Sequence, residues 1–288
     1  MVKIKDLIKK YPLLVYFFLA FVISWGAIFI LAGPDGIPAT ADQIVVLGIA
    51  MLLGPSLAGI FMIGLVNGKM GFRELFSRLF KWRVGIQWYL VALLIAPLST
   101  VAVCFVLSFF SSEFLPAIYT ANDKATLILT GIAGGLIVGF FEDLGWTGFA
   151  IPRMRLRYTV FATGLIVGLL WGAWHFLLFW ENDSFSGAFP VALLLARLFA
   201  WLPAYRILMV WVYNRTDSLL IAILMHVSLV ATLSTLDPPA TGGSLLIFIL
   251  VRAAILWLIV VAVAMVKRDQ LIEDRHCSQT RLTPTTTH

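Results

Sequence analysis

Long apolar stretches alternate along the chain with short segments that carry charged residues, proline or glycine. A helix needs about 20 apolar residues to cross the hydrocarbon core of a bilayer. The pattern therefore predicts an all-α, polytopic integral membrane protein with about eight transmembrane helices. The predicted spans run approximately from Pro12 to Leu31, Ile44 to Val66, Trp88 to Phe110, Leu127 to Ile151, Val160 to Trp180, Val191 to Tyr213, Leu219 to Leu236 and Leu245 to Val266.

The composition is far more apolar than that of an ordinary soluble domain. Hydrophobic residues make up 61% of the 288 residues and charged residues only 12%, whereas a soluble domain carries about 25% charged residues. The net charge of +6 comes largely from Lys and Arg in short loops, so no exposed basic face for nucleic acid is predicted. Cys104 and Cys277 lack the spacing of a disulfide framework or a metal site.

Basic residues concentrate in alternate segments between the predicted spans. Since Lys and Arg are retained on the cytoplasmic side, this asymmetry predicts a cell-membrane protein with both termini in the cytoplasm. The other loops contain Lys124 as their only basic residue. The basic segments contain Lys3, Lys5, Lys9, Lys10, Lys69, Arg73, Arg78, Lys81, Arg83, Arg153, Arg155, Arg157, Arg215, Lys267, Arg268, Arg275 and Arg281.

The segments between spans give little sign of a second domain. Residues 1–270 are predicted to form a single multi-pass helical domain, and the polar, Thr-rich residues 271–288 a disordered cytoplasmic tail. Residues 68–89 alternate basic and apolar side chains, which is typical of an amphipathic helix at the membrane interface.

A few ionisable residues lie inside the predicted spans, where such groups are rare and usually functional. A carboxylate with two imidazoles can activate water directly as a general base, or through a divalent metal such as Zn²⁺ in a His₂Glu arrangement. The chain has no HExxH motif, so such a site must be assembled from different helices. The residues concerned are Glu142, Asp143, His175, Arg197, Arg206, His226 and Arg252.

At these positions the sequence resembles the CAAX-protease and bacteriocin-processing (CPBP) family of intramembrane endopeptidases, which includes many bacterial Abi proteins. The segments EDLGWTGFAIPRM, LLWGAWHFLLF and VYNRTDSLLIAILMHVSLV carry the resemblance, in the family's order and in successive spans. The resemblance implies a site buried among the fourth, fifth and seventh helices.

The resemblance also implies roles for individual residues. Glu142 matches the first acid of the family's paired acids, which activates the attacking water, and Asp143 matches the second. Trp171 takes the aromatic position, and His175 and His226 match the two histidines that hold the water or stabilise the oxyanion. A metal, if bound, would have Glu142, His175 and His226 as ligands.

Two positions depart from the family pattern. Thr147 stands where the family has Arg, five residues after Glu142, and Val230 stands where it has Asn or Asp, four residues after His226. Two like charges in a low dielectric repel each other, so the paired acids need a shared proton or a cationic neighbour. We therefore expect either Arg197 or Arg206 of the sixth span to supply the positive charge that Thr147 lacks.

Three functions follow from these observations. The first is an intramembrane endopeptidase that hydrolyses membrane-associated peptides or proteins with water activated by Glu142 and the histidines. The second is a non-catalytic relative that binds a peptide or partner protein in the same cavity. The third is a transporter in which the carboxylates and histidines relay protons or ions. All three place the protein in the lipid bilayer.

Overall fold

The computed structural model describes residues 4–33, 41–267 and 271. These residues contain helices and no strand, so the all-α prediction is confirmed. The predicted tail at 271–288 lies outside the described residues except for residue 271. The α-helices are α1 (Ile4–Lys10), α2 (Pro12–Ala32), α3 (Ala41–Met51), α4 (Leu53–Leu79), α5 (Ile86–Ser108), α6 (Ala117–Thr120), α7 (Lys124–Gly145), α8 (Ile151–Met154), α9 (Val160–Trp174), α10 (Phe176–Phe179), α11 (Ala188–Leu195), α12 (Leu202–Thr216), α13 (Leu219–Leu236) and α14 (Gly242–Val266).

Seven continuous helical segments in the described part of the chain are long and apolar enough to cross a membrane. The protein is therefore a multi-pass membrane protein, as predicted. The fifth predicted span is shorter than expected: α9 has 15 residues and ends at Trp174, not Trp180. At 1.5 Å per residue it is about 22 Å long, less than the roughly 30 Å of the hydrocarbon core. The seven segments are Pro12–Ala32, Gln43–Leu79, Ile86–Ser108, Lys124–Met154, Ala188–Thr216, Leu219–Leu236 and Gly242–Val266.

The segment predicted to lie at the membrane interface begins at a break in α4. Gly68 has φ 60° and ψ −145°, a conformation that side-chain-bearing residues rarely adopt, and the helix resumes beyond it as far as Leu79. Arg78 in this segment is buried, and it donates hydrogen bonds to the Tyr213 hydroxyl at 2.6 Å and to the Gly148 carbonyl at 3.3 Å. The helix predicted over residues 68–89 is present only as far as Leu79, and Arg78 joins it to α12 and to the chain that follows α7.

Glycines spaced four residues apart bring the central helices close together. Gly131, Gly135 and Gly139 occur along α7, and Gly164, Gly168 and Gly172 along α9. A Cβ atom on Gly135 would lie 2.7 Å from the carbonyl oxygen of Val227 in α13, and one on Gly168 would lie 2.5 Å from Cα of Pro203 in α12. Small residues at this spacing allow close backbone contact between helices in membranes. The fold therefore pairs α7 with α13 and α9 with α12.

Hydrogen bonds connect α2 to α9. The Ser24 hydroxyl donates to the Met51 carbonyl at 2.6 Å and accepts from the Trp174 indole at 2.8 Å. The Trp25 indole donates to the Trp174 carbonyl at 3.0 Å. These contacts hold α2 against the helices that carry the predicted site.

Candidate active site

The two acids lie in the last turn of α7, directly before a π-helical segment at Trp146–Ala150. Glu142 is 2% exposed and Asp143 is fully buried. Wide turns of this kind occur often at functional sites, because they rotate the side chains around them relative to an unbroken α-helix. The sequence predicted the position of the acids within a span, and the structure adds this change of helical geometry.

Glu142 is held by the aromatic residue of the second motif. The indole Nε1 of Trp171 in α9 donates a hydrogen bond to Oε2 of Glu142 at 2.6 Å, and both side chains are buried. A hydrogen bond between a neutral donor and a carboxylate fixes the orientation of the carboxylate without neutralising it. This contact leaves Oε1 of Glu142 as the oxygen available for proton transfer.

Asp143 is bound by three different side chains. Oδ1 accepts hydrogen bonds from Nη1 of Arg206 at 3.0 Å and from the Thr147 hydroxyl, and Oδ2 is 2.9 Å from Nδ1 of His226. Arg206 and Asp143 are both completely buried. A buried carboxylate is stable in such surroundings only when it is paired and hydrogen-bonded.

The structure distinguishes between the two arginines of the sixth predicted span. Arg206 contacts Asp143, and its guanidinium lies over the Trp171 ring at 4.1 Å from the ring centroid. Arg197 instead pairs with Glu181 at 2.6 Å, on a partly exposed surface. The expected cationic neighbour of the acids is therefore Arg206, and α12 joins the fourth, fifth and seventh predicted helices at the site. Arg197 does not belong to it.

Both histidines pack against Trp171. The rings of His175 and His226 each pack edge-on against Trp171, with centroids 5.3 and 5.4 Å from it. Nδ1 of His175 is 2.7 Å from the Trp171 carbonyl. A carbonyl and a carboxylate can only accept hydrogen bonds, so Nδ1 carries the proton in both rings. Nε2 is then the nitrogen of each neutral ring that can accept a proton.

The two departures from the family pattern differ in their structural effect. Thr147 is fully buried and donates to the acid four residues before it, so its short side chain contributes to the binding of Asp143. Val230 lies one turn after His226 and has no hydrogen-bonding group in its side chain. The first departure is accommodated by Thr147 together with Arg206, whereas the second leaves the site one polar group short.

The side chains are not arranged as a metal site. Among the described residues, no group of three or more His, Cys, Asp and Glu side chains is placed to hold a metal ion. Oε2 of Glu142 bonds to Trp171 and Nδ1 of His226 bonds to Asp143, which leaves Oε1 and Nε2 as the remaining donor atoms of these two residues. We therefore derive no catalytic step through a metal.

Sequence reasoning did not single out Tyr16 of α2, which lies near the acids. It is fully buried, and its ring packs against Trp146 at 5.8 Å and Phe149 at 5.2 Å between centroids. A tyrosine in an apolar span has an ordinary alternative role at the membrane interface. Only the packing of α2 against the end of α7 identifies it as a neighbour of the site.

Part of the chain is similar to a known protein family. Residues 124–232, which contain all the site residues from Glu142 to His226, match the family described as "Type II CAAX prenyl endopeptidase Rce1-like". CAAX prenyl protease 2 of Methanococcus maripaludis is 30% identical over 77 residues, which are 27% of this chain and 23% of that protein. The matched part thus spans about a quarter of the length of this relative. The segment that carries the paired acids and both intramembrane histidines is therefore similar to the Rce1-like family of CAAX endopeptidases.

Proposed function

We propose that the protein is an intramembrane endopeptidase that hydrolyses peptide bonds of membrane-associated peptides or proteins, with Glu142 as the general base. The observation that supports this most is the hydrogen bond from Trp171 to Glu142. It fixes a buried carboxylate next to two imidazoles whose Nδ1 atoms are both engaged. A base, two further proton-accepting nitrogens and a buried cation are the groups that water-mediated peptide hydrolysis needs.

In the first step, Oε1 of Glu142 takes a proton from a water molecule as the water oxygen attacks the carbonyl carbon. Nε2 of His175, whose Nδ1–H is held by the Trp171 carbonyl, accepts the second hydrogen bond of that water. The electron pair of the C=O double bond moves onto the carbonyl oxygen. A tetrahedral intermediate with one negative charge results.

In the second step, the carbonyl double bond re-forms and the C–N bond breaks. The leaving nitrogen takes the proton from Glu142, which returns to the carboxylate form, and the products are a carboxylic acid and an amine. The new carboxylic acid then gives up its proton, so that the final products are a carboxylate and an ammonium group. Glu142 thus first accepts a proton and later donates it. Burial favours both transfers, because the exclusion of water strengthens the electrostatic interactions within the site.

Asp143 acts on His226 and not on the substrate. Its carboxylate receives the Nδ1–H of His226 and so fixes the ring orientation, while Arg206 and Thr147 hold the carboxylate itself. In the neutral ring, Nε2 of His226 accepts a hydrogen bond from water. In the protonated ring, Asp143 balances the positive charge and Nε2–H donates to the intermediate.

We further propose that both termini are cytoplasmic, because the basic loops fall on one side of the spans. Cysteines placed singly at Lys9 and at Ser112 of a variant lacking Cys104 and Cys277 test this orientation. In right-side-out vesicles, a membrane-impermeant maleimide should label position 112 and leave position 9 unlabelled until the vesicles are opened. The opposite labelling would reverse the assignment.

Cleavage of membrane-anchored peptides by the purified protein in liposomes tests the proposed activity. The Glu142→Gln variant keeps an oxygen to accept the Trp171 hydrogen bond but cannot take a proton, and we expect a loss of at least about 10²-fold in kcat. Glu113→Gln, which changes an exposed glutamate bonded to Ser244, is the matched control and should retain full activity. Activity that survives Glu142→Gln would remove the proposed base.

A chelator and a metal-supplemented arm in the same assay address the metal question. Activity that is unchanged by chelation supports the residue-only mechanism, whereas loss of activity that is restored by Zn²⁺ would require a rearranged ligand set.

The second candidate function, peptide binding without cleavage, is favoured by one observation, the isopropyl group of Val230 beside His226. It predicts that the wild-type protein binds membrane-anchored peptides and releases them intact.

A further inference from the structure

Tyr16 brings a polar group to the site from outside the segment that matches the family. It lies in α2, and the family match begins at residue 124. Its side chain is fully buried, and its hydroxyl has no hydrogen-bond partner among the described residues. Leaving a buried hydroxyl unpaired costs free energy, so a hydroxyl in this state calls for a ligand.

The Tyr16 hydroxyl points at the turn that follows the two acids. A Cβ atom on Gly145 would lie 2.5 Å from the hydroxyl oxygen, so only glycine allows this approach. Arg206, Asp143 and Glu142 are the charged groups that lie close enough to act on the hydroxyl electrostatically. The hydroxyl therefore belongs to the same buried polar cluster as the acids.

Arg206 has an open edge within this cluster. Its Nη1 donates to Asp143, while Nε and Nη2 have no hydrogen-bond partner in the described part of the chain. The N–H groups on Nε and Nη2 point in the same direction from the planar guanidinium and form a two-donor fork. A buried cation with an unpaired fork is arranged to bind an oxygen acceptor.

We propose that the open edge of Arg206 and the hydroxyl of Tyr16 bind the carbonyl oxygen of the scissile peptide bond and stabilise the negative charge that forms on it. This inference rests on the proposed endopeptidase function. When water attacks the carbonyl carbon, the C=O electron pair moves to the oxygen, which accepts hydrogen bonds from Nε–H, Nη2–H and the phenol. When the C–N bond breaks, the pair returns to the carbonyl group.

This assignment also accounts for the missing polar group at Val230. The family position holds a hydrogen-bonding side chain, and here an isopropyl group stands there. The donors from α2 and α12 take its place, and the guanidinium of Arg206 lies over the Trp171 ring. The cation gains strength from its low-dielectric surroundings, which is the setting in which oxyanion donors are most effective.

The Tyr16→Phe variant tests the proposal, because it removes one oxygen atom and keeps the ring. We expect kcat to fall by about 10²-fold, the scale of losing one oxyanion donor, with KM changed less than threefold and the thermal midpoint not lowered. Tyr205→Phe is the matched control. Tyr205 is equally buried, but its hydroxyl already donates to the Met225 carbonyl at 2.8 Å, so its loss should lower the thermal midpoint and leave kcat unchanged.

Each other outcome overturns the inference. A Tyr16→Phe variant with a lower thermal midpoint and normal kcat would show that the hydroxyl binds a structural water. A higher thermal midpoint with normal kcat would show an unpaired hydroxyl without a ligand. A normal kcat for Tyr16→Phe alongside an inactive Glu142→Gln variant removes this inference alone, whereas an inactive wild-type protein that leaves bound peptide intact removes the endopeptidase function as well.

Discussion

Arg206 donates a hydrogen bond to Asp143 across 63 residues of sequence, with both side chains excluded from solvent. From the family resemblance of the sequence we expect the cation on the same helix as the acids, at the position that Thr147 occupies. The positive charge thus comes from a different helix, and the short Thr147 side chain makes a second hydrogen bond to the same oxygen of Asp143.

Removing this cation should destabilise the protein strongly. Arg206→Leu leaves a buried carboxylate without its ion pair, and we expect the free energy of unfolding in detergent to fall by about 3–5 kcal/mol. Arg197→Leu breaks a partly exposed ion pair with Glu181 and should cost at most about 1 kcal/mol. Adding Thr147→Arg to Arg206→Leu returns a cation to the acids and should recover part of the loss. Equal costs for the two single variants would contradict the assignment.

Asp143→Asn should reduce the activity of the folded protein and also lower its stability, because it leaves the buried Arg206 without its counter-ion. The amide removes the charge that holds His226 in position, and replacing an acid that orients a catalytic histidine lowers kcat by about 10²- to 10⁴-fold. Asp217→Asn serves as the control, because Asp217 is on the surface and has the left-handed backbone that Asn also tolerates. Steady-state cleavage rates in liposomes provide the measurement. A variant at Asp143 as active as the one at Asp217 would exclude a role for the carboxylate.

Trp171→Phe should affect catalysis more than folding. The variant loses the indole donor that holds Glu142, and a hydrogen bond to a charged group contributes about 1.5–3 kcal/mol. That range corresponds to a decrease in kcat of about 10- to 100-fold. Trp174→Phe also removes a buried indole donor, but this one bonds to Ser24, so its effect should appear in the thermal midpoint. The prediction fails if both variants change the same quantity.

Gly135→Ala should separate α7 from α13 and so disturb the contact between Asp143 and His226. The added methyl group would lie 2.7 Å from the Val227 carbonyl oxygen, and overpacking of this kind costs about 1–3 kcal/mol. Gly134→Ala is a close control, since no atom lies within 4 Å of its built Cβ and alanine favours the helix. The thermal midpoint and the cleavage rate should both fall for Gly135→Ala. Neither should fall for Gly134→Ala.

The alternation of apolar and charged segments was sufficient to predict the helical class and the approximate position of most spans. It placed the end of the fifth span at Trp180, because the apolar run continues past the end of α9 at Trp174. Hydropathy measures only the composition of a window, whereas the helix ends where the chain turns at His175. Paired acids and histidines inside apolar stretches were equally visible, because such groups are rare there.

The contacts between these residues depended on helix packing that sequence patterns do not contain. The choice between Arg197 and Arg206 required the π-helical segment Ala196–Ala200 and the break before Leu202, which alter the face that each arginine presents. The role of Thr147 was missed because its hydroxyl was compared with the family's arginine and not with the acid one turn earlier. Tyr16 was missed because an aromatic residue in a first span has an ordinary alternative explanation.

Asp143 is synthesised several seconds before Arg206, because the two residues lie far apart along the chain. At 5–20 residues per second, the ribosome needs roughly 3 to 13 s to add the 63 residues that separate them. During that interval the acids of α7 have Thr147 beside them but not their cation, whereas an arginine at position 147 would enter the membrane together with them. Release of α7 into lipid should therefore wait for α12, and the two helices should leave the insertion machinery as a pair.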